Sequence, residues 1–383
     1  MYATETVERS GGILICVPGV VIPARDRQCS AGVGQGSPTL GGTAAGPRVT
    51  IADVAKHAGV STAAVSKVLR NAYGVSPAMD TRVRASIAAL SYRPHAGARA
   101  MRGRSYTLGV LLDNIRNPFY GDILDGVTDA LAKSDYQVLV GSGGFNSDTQ
   151  MHMGEAMVDR GMDGLILVAP AMSRDQVRAV ATTVPVVIVG HHDGSDAYDT
   201  VVGDDAAGAN LVVDHLTSLG HRRIAHTSVA AAKGNQWRRR LEQVRATGYR
   251  EAMQRHNLDK FTKIVATSYS EEGGYSAALE LLGDRDRPTA IFAGADIAAL
   301  GVIRAAAELG VRIPEDLSLV GYDNTNVASL APIQLTSVDQ GGSHIGETAV
   351  QLLFERIDGR VRSVRTSTAP SLIVRRTTGA PRK

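Results

Sequence analysis

The chain has 383 residues, 44% of them hydrophobic and 21% charged, a composition that suits two or three globular domains. It contains no apolar run long enough for a transmembrane helix. Its two cysteines, Cys16 and Cys29, are too few for a disulfide scaffold or a four-cysteine zinc site. The net charge of +3 conceals an asymmetry. Residues 48–104 carry ten Lys/Arg against Asp53 and Asp80, whereas residues 1–47 are neutral and residues 105–383 carry 28 Lys/Arg against 33 Asp/Glu. A compact basic module joined to a mildly acidic one favours a polyanionic partner, most simply nucleic acid.

In chain order, residues 1–47 hold nine Gly and four Pro and show no sustained period of 2 or 3.6. They read as a disordered extension or an upstream start-site artefact. The apolar run Ile13–Val17 is cut by Pro18-Gly19 and flanked by Glu5 and Glu8, a poor export signal. Both cysteines lie here, so cysteine catalysis and cysteine-ligated metal are excluded from the rest.

Thr50-Ile51-Ala52-Asp53 has the form of a capping box opening a helix to Ala58. Gly59 stands where a C′ residue needs positive φ. Ser61 then caps a second helix over Thr62–Arg70, and Ser76-Pro77 opens a third with Val83, Ile87 and Leu90 as its apolar stripe. Two short helices joined by a tight Gly turn form a helix-turn-helix, whose second helix fits the major groove. Thr62, Ala63 and Lys67 are its candidate base-edge residues; Thr50, Ser61 and Arg70 suit phosphate. Residues 94–104 follow as a basic linker.

From Thr107 apolar runs alternate with longer amphipathic stretches. The runs include Leu108–Leu112, Val138–Val140, Leu165–Ala169, Val186–Val189, Ile224–Val229, Ile264–Thr267, Ala290–Ala293 and Leu317–Gly321. Helical stretches include Tyr120–Lys133, Ala206–Leu219, Trp237–His256, Asp296–Leu309 and His344–Ile357. This alternation predicts parallel sheets covered on both faces, and the length predicts two such subdomains. Ligands in these sheets bind at the carboxyl ends of strands. The strand ends nominate Asp113, Asn114, Phe119, Tyr120, Ser142, His191, His192, Arg245, Tyr269, Asp296 and Asp323. One arginine, carboxylates and aromatic rings suit a polyhydroxylated ligand. Adjacent His191 and His192 are poorly placed for joint chelation, since neighbouring strand residues point to opposite faces; no metal or cofactor is expected. There is no GxGxxG, Walker loop, GxSxG or HExxH, so nothing positive supports an enzyme. A secreted sugar-binding protein would account for the large module but leave the basic one unexplained.

Val49–Ala55, Ala58-Gly59-Val60-Ser61, Val65–Leu69, Val75-Ser76 and Leu90–Pro94 together resemble the headpiece of the lactose/galactose repressor (LacI/GalR) family, and the likeness extends over residues 48–380. The resemblance implies an all-α helix-turn-helix headpiece (48–93) and a hinge (94–104). It further implies an α/β periplasmic-binding-protein-like effector module of two doubly wound parallel-sheet subdomains (about 105–221 plus 339–362, and about 222–338 plus 363–380). It implies a hinge helix formed only when two subunits meet on operator DNA, with Met101 at the minor-groove wedge position and Ala98 beside it. Gly97 departs from that pattern by weakening the helix. The family's ligand arginine falls on Arg245, its Gly-Tyr-Asp acid on Asp323, the acid opening the Ala-x-Gly helix on Asp296, and its aromatic pair on Phe119-Tyr120; Ala295 replaces a common Asn. The implied protein is a cytoplasmic, non-enzymatic repressor. It would bind double-stranded operator DNA as a homodimer under control of a small molecule, a sugar rather than a purine or nucleoside.

Overall fold

The computed structural model describes residues 49–69, 72–92, 104–229 and 236–382, and for residues 236–242 the backbone alone. The headpiece helices are α1 (Ile51–Ala58), α2 (Thr62–Leu69) and α3 (Pro77–Ala89). Thr50 and Asp53 form the reciprocal capping box, and Gly59 takes the left-handed conformation at φ 61° that a side chain would resist. Ser76 caps α3, with Pro77 in its first turn. Val54, Ala55, Ala58, Val65, Val68 and Val83 make a small three-helix core. Ile87 and Leu90 pack at its margin, which agrees with the expected stripe.

The large module holds two six-stranded sheets. The first takes β1 (Thr107–Leu112), β2 (Gln137–Ser142), β3 (Gly164–Val168), β4 (Val186–Val189), β5 (Asp199–Gly203) and β11 (Arg365–Thr368), in the order β11-β5-β4-β3-β1-β2. The second takes β6 (Ile224–Val229), β7 (Lys263–Thr267), β8 (Ala290–Ala293), β9 (Ser318–Asp323), β10 (Thr336–Asp339) and β12 (Ser371–Ile373), in the order β12-β10-β9-β8-β6-β7. Every pairing is parallel except the edge pair β10–β12. The central strands are buried on both faces, which is why they read as unbroken aliphatic runs such as Val-Val-Ile-Val.

Helices fill both faces. On the first sheet, α4 (Pro118–Leu131) and α11 (Gly342–Ile357) bury Ile123, Val127, Ile345 and Leu353 against Leu108, Val110 and Ile166. On the opposite face, α5 (Ser147–Asp159) and α6 (Arg174–Ala181) contribute Met157 and Val177 against Leu111, Leu165 and Ile188. On the second sheet, α7 (Asp205–Ser218) and α8 (Gln236–Arg255) cover one face, and α9 (Glu271–Gly283) and α10 (Asp296–Glu308) the other.

The chain passes between the sheets three times: after β5, after β10 and between β11 and β12. The first two passages leave the carboxyl ends of their strands, so the carboxyl ends of both sheets meet at the crossovers. The expected subdomain limits shift accordingly. Helix α7, expected with the first subdomain, packs Val212, Val213 and Leu216 on Tyr249 and Met253 of the second. Strand β11, expected with the second, pairs with β5 of the first.

Candidate functional site

In the headpiece, α2 buries Val65 and Val68 and leaves Thr62, Ala63 and Lys67 exposed. The three expected reading residues therefore share the outward side of one short helix. The hydroxyls of Thr50 and Ser61 are engaged locally: Thr50 Oγ1 bonds Asp53 Oδ2 at 2.7 Å, and Ser61 Oγ accepts from the Ala64 N–H at 3.1 Å. They present helix N-termini, whose backbone N–H groups and dipole suit phosphate. Arg70, Ala98 and Met101 lie outside the described residues. Tyr73, which was not singled out in the sequence, is a fully exposed aromatic between α2 and α3; an isolated Tyr in a loop carries no periodic signal.

At the carboxyl ends of the second sheet, Arg245 is the centre of a buried network. Its Nε and Nη2 donate to Asp205 Oδ1 at 3.0 and 2.6 Å, and its Nη1 donates to the Gly294 carbonyl. The guanidinium stacks 3.5 Å from the Tyr322 ring centroid and 5.5 Å from that of Tyr269, a favourable desolvated cation–π geometry. His192 Nε2 lies 2.9 Å from the other oxygen, Asp205 Oδ2. Burial pushes the Asp205 carboxyl up, but Arg245 and His192 outweigh it and hold it well below the usual carboxylate range. A side chain at Gly294 would collide with the Tyr269 ring, so glycine there lets the ring in.

Beside this network lie two buried acids. Asp296 accepts from Thr325 N at 2.7 Å, Thr325 Oγ1 at 3.0 Å and Ser337 Oγ at 2.6 Å, so its oxygens are committed to holding the loop after β9. Burial pushes it up to about 6, against those donors. Asp323 accepts from Gln340 Nε2 at 2.7 Å. Burial and the neighbouring Asp296 push its carboxyl well above the ordinary value. Its φ of 114° is strained for a residue with a side chain, and strain of this kind collects at ligand sites. Gln340 stands in the crossover after β10, and its carbonyl accepts from Thr368 Oγ1 at 3.0 Å. Asp323 is thus tied to the passage between the sheets.

The first sheet contributes less than the sequence suggested. Asn114 bonds Asp113 Oδ1 at 2.8 Å and caps the Arg116 and Asn117 N–H groups. Ser142 is exposed, its Oγ 3.5 Å from the Asp113 carbonyl. Tyr120 is enclosed in the apolar core with Leu112 and Ile123, and Phe119 packs at its margin against Gly342; their apolar faces meet α4's own core, which outweighs exposure at the cleft. His191 is buried against the Pro170 carbonyl at 3.2 Å. Its neighbour His192 is the one that joins Asp205; both histidines lie in the loop beyond the end of β4, after Gly190, where the expected strand alternation does not apply. Asp205 itself was not singled out: it lies forty residues from Arg245, and a second Asp after Asp204 at a helix start reads as a cap. The structure therefore brings together Arg245, Tyr269 and Asp323, with Asp296 behind them.

Comparison with known proteins identifies both modules. Residues 50–95 match the model of bacterial regulatory proteins of the lacI family, and residues 213–378 match a periplasmic binding protein-like domain. The chain is 32% identical to catabolite control protein A of Priestia megaterium over 80% of its length and 91% of that protein. It is 30% identical to the HTH-type transcriptional repressor PurR of Photorhabdus laumondii, over 85% of this chain and 96% of the relative. Among solved structures, the lac repressor dimer bound to operator and the anti-inducer ONPF superposes with a TM-score of 0.74 at 26% identity, covering 87% of this chain and all of that one. A LacI family regulator from Enterococcus faecium with bound ribose gives 0.65 at 27% identity, covering 72% and 100%. With a lacI headpiece, two parallel-sheet subdomains and relatives matched over nearly their whole length, the chain belongs to the LacI family of DNA-binding transcriptional regulators and is not an enzyme.

Proposed function

We propose that the chain is a repressor that binds a pseudo-palindromic operator as a homodimer and is released or engaged by a neutral sugar held between its two sheets. The observation that carries the reading is the Arg245–Asp205–His192 network, which joins a loop of the first sheet to a helix of the second at the cleft. A ligand that reorients those groups shifts one sheet against the other, and by linkage its effect on DNA affinity equals the effect of DNA on its own affinity. Arg245, Tyr269 and Asp323 are assigned to ligand hydroxyls and CH faces, Asn114 and Ser142 to the opposite wall, and Asp296 to positioning. The regulator with bound ribose supports a sugar. Edge strand β2 exposes Leu139 and Val140, and Phe145 follows it; an apolar edge of this kind suits a second copy.

A thermal-shift panel of neutral sugars and nucleosides tests the reading. A ligand at 100 times its Kd stabilises the native state by about 2.7 kcal/mol. We expect a sugar to raise the melting temperature and Arg245→Ala to abolish that shift while operator binding persists. A shift with nucleosides alone, or a sugar shift unchanged in Arg245→Ala, contradicts it.

A further inference from the structure

We propose that Asp205 is an internal counter-ion that makes this cleft select uncharged ligands and reject their phosphorylated or carboxylated counterparts. The inference rests on the cleft being the effector site and deepens that reading. A buried arginine is ordinarily the group that captures a carboxylate or phosphate, through two parallel N–H bonds. Here that fork is filled from within the chain. Nε and Nη2 both close on Asp205 Oδ1, and Nη1 is spent on the Gly294 carbonyl. Both Asp205 oxygens are in use, the second by His192. The Arg245 and Asp205 side chains are 11% and 10% exposed, so little water screens the pair.

Of the five guanidinium N–H groups, these contacts leave two, one on each terminal nitrogen. Two single donors suffice for sugar hydroxyls, but the charge behind them is already neutralised. Among the described residues, Arg375 is the arginine beside Asp296, and it donates to Asn324 Oδ1 at 2.6 Å and to the Leu335 carbonyl at 2.6 Å. An entering anion would meet a carboxylate at the very group that should receive it, and like charges at close range in a poorly screened site repel strongly.

The test measures affinity by calorimetry for matched probes on the full chain: glucose against gluconate and glucose 6-phosphate, ribose against ribose 5-phosphate, and inorganic phosphate alone. The wild type is expected to bind no anionic member within tenfold of its neutral partner. Asp205→Asn keeps the shape and removes the charge, and should gain at least tenfold for the anions and for phosphate. A wild type that takes the anionic member as tightly as the neutral one overturns the proposal. So does a folded Asp205→Asn, judged by circular dichroism, whose anion affinity is unchanged. If that variant does not fold, Asp205→Ser and the wild-type pairs decide in the same terms. Phosphate bound by Asp205→Asn with no sugar bound by either protein would uphold the counter-ion and refute the sugar reading.

Discussion

Single residues show most clearly what the sequence conveyed. Tyr269 and Asp323 were nominated because each follows an apolar run, where an α/β sheet presents its ligand groups, whereas Arg245, inside α8, was nominated by its place before Gly248-Tyr249. What escaped was pairing. That Asp205 would meet Arg245, and that His192 rather than His191 would meet Asp205, depends on how the sheets are set against each other across the crossovers, which no local pattern encodes. Asp296 yields a measurable consequence. Its carboxyl is raised from 3.8 to about 6 by burial, so the folded chain holds the proton more tightly than the unfolded one. That contribution is complete below about pH 4 and is lost as pH rises through about 6. Urea midpoints of wild type and Asp296→Asn, compared from pH 5 to 7.5, should show the wild type losing stability relative to the variant as pH rises. A constant difference would show that the three donors keep Asp296 ionised throughout.

Secondary-structure elements were legible wherever local chemistry alone shapes them. The capping box at Thr50, the left-handed Gly59 and the Pro77 start appear as read, because each is settled within one helical turn. The aliphatic strands were equally plain. Strands β5, β10, β11 and β12 were not singled out: they are three to five residues long and include Asp199, Thr200, Thr336 and Ser337. Such residues sit in a strand only because distant partners satisfy them. Asp199, fully buried, is held by Arg356 and Arg360 at 3.0 and 2.5 Å, and burial without them would be costly. The helix pairs also depend on tertiary contact. Helices α4 and α11 cross where Gly126 lies on the Ser343 carbonyl and Gly346 on the Ile123 carbonyl; α9 and α10 cross likewise at Gly274 and Gly301. A Cβ at any of the four meets rigid backbone. Gly346→Ala should therefore lower stability by about 1–3 kcal/mol, seen as a reduced urea midpoint. An unchanged midpoint would mean that the helices separate freely.

For the whole molecule, function follows from how a basic headpiece is joined to a hinged, ligand-holding body. The asymmetry of charge along the chain pointed to DNA before any fold was assigned, and the three crossovers explain how a ligand could be felt there. Gln340 and Thr368 belong to two of them and are hydrogen-bonded to each other, and Gln340 also holds Asp323. Under the proposed reading, a ligand at Asp323 would touch a residue hydrogen-bonded to the segments that connect the two sheets. The division into subdomains was harder to read than their number, because the crossovers are only one or two residues long and leave no linker-like composition behind. The most direct test of the account is selection of duplexes from a random pool by the purified full-length protein. A homodimeric regulator should enrich a two-fold pseudo-palindrome with two equivalent half-sites, one for each headpiece. Enrichment of a single asymmetric half-site, or of no sequence at all, would contradict it.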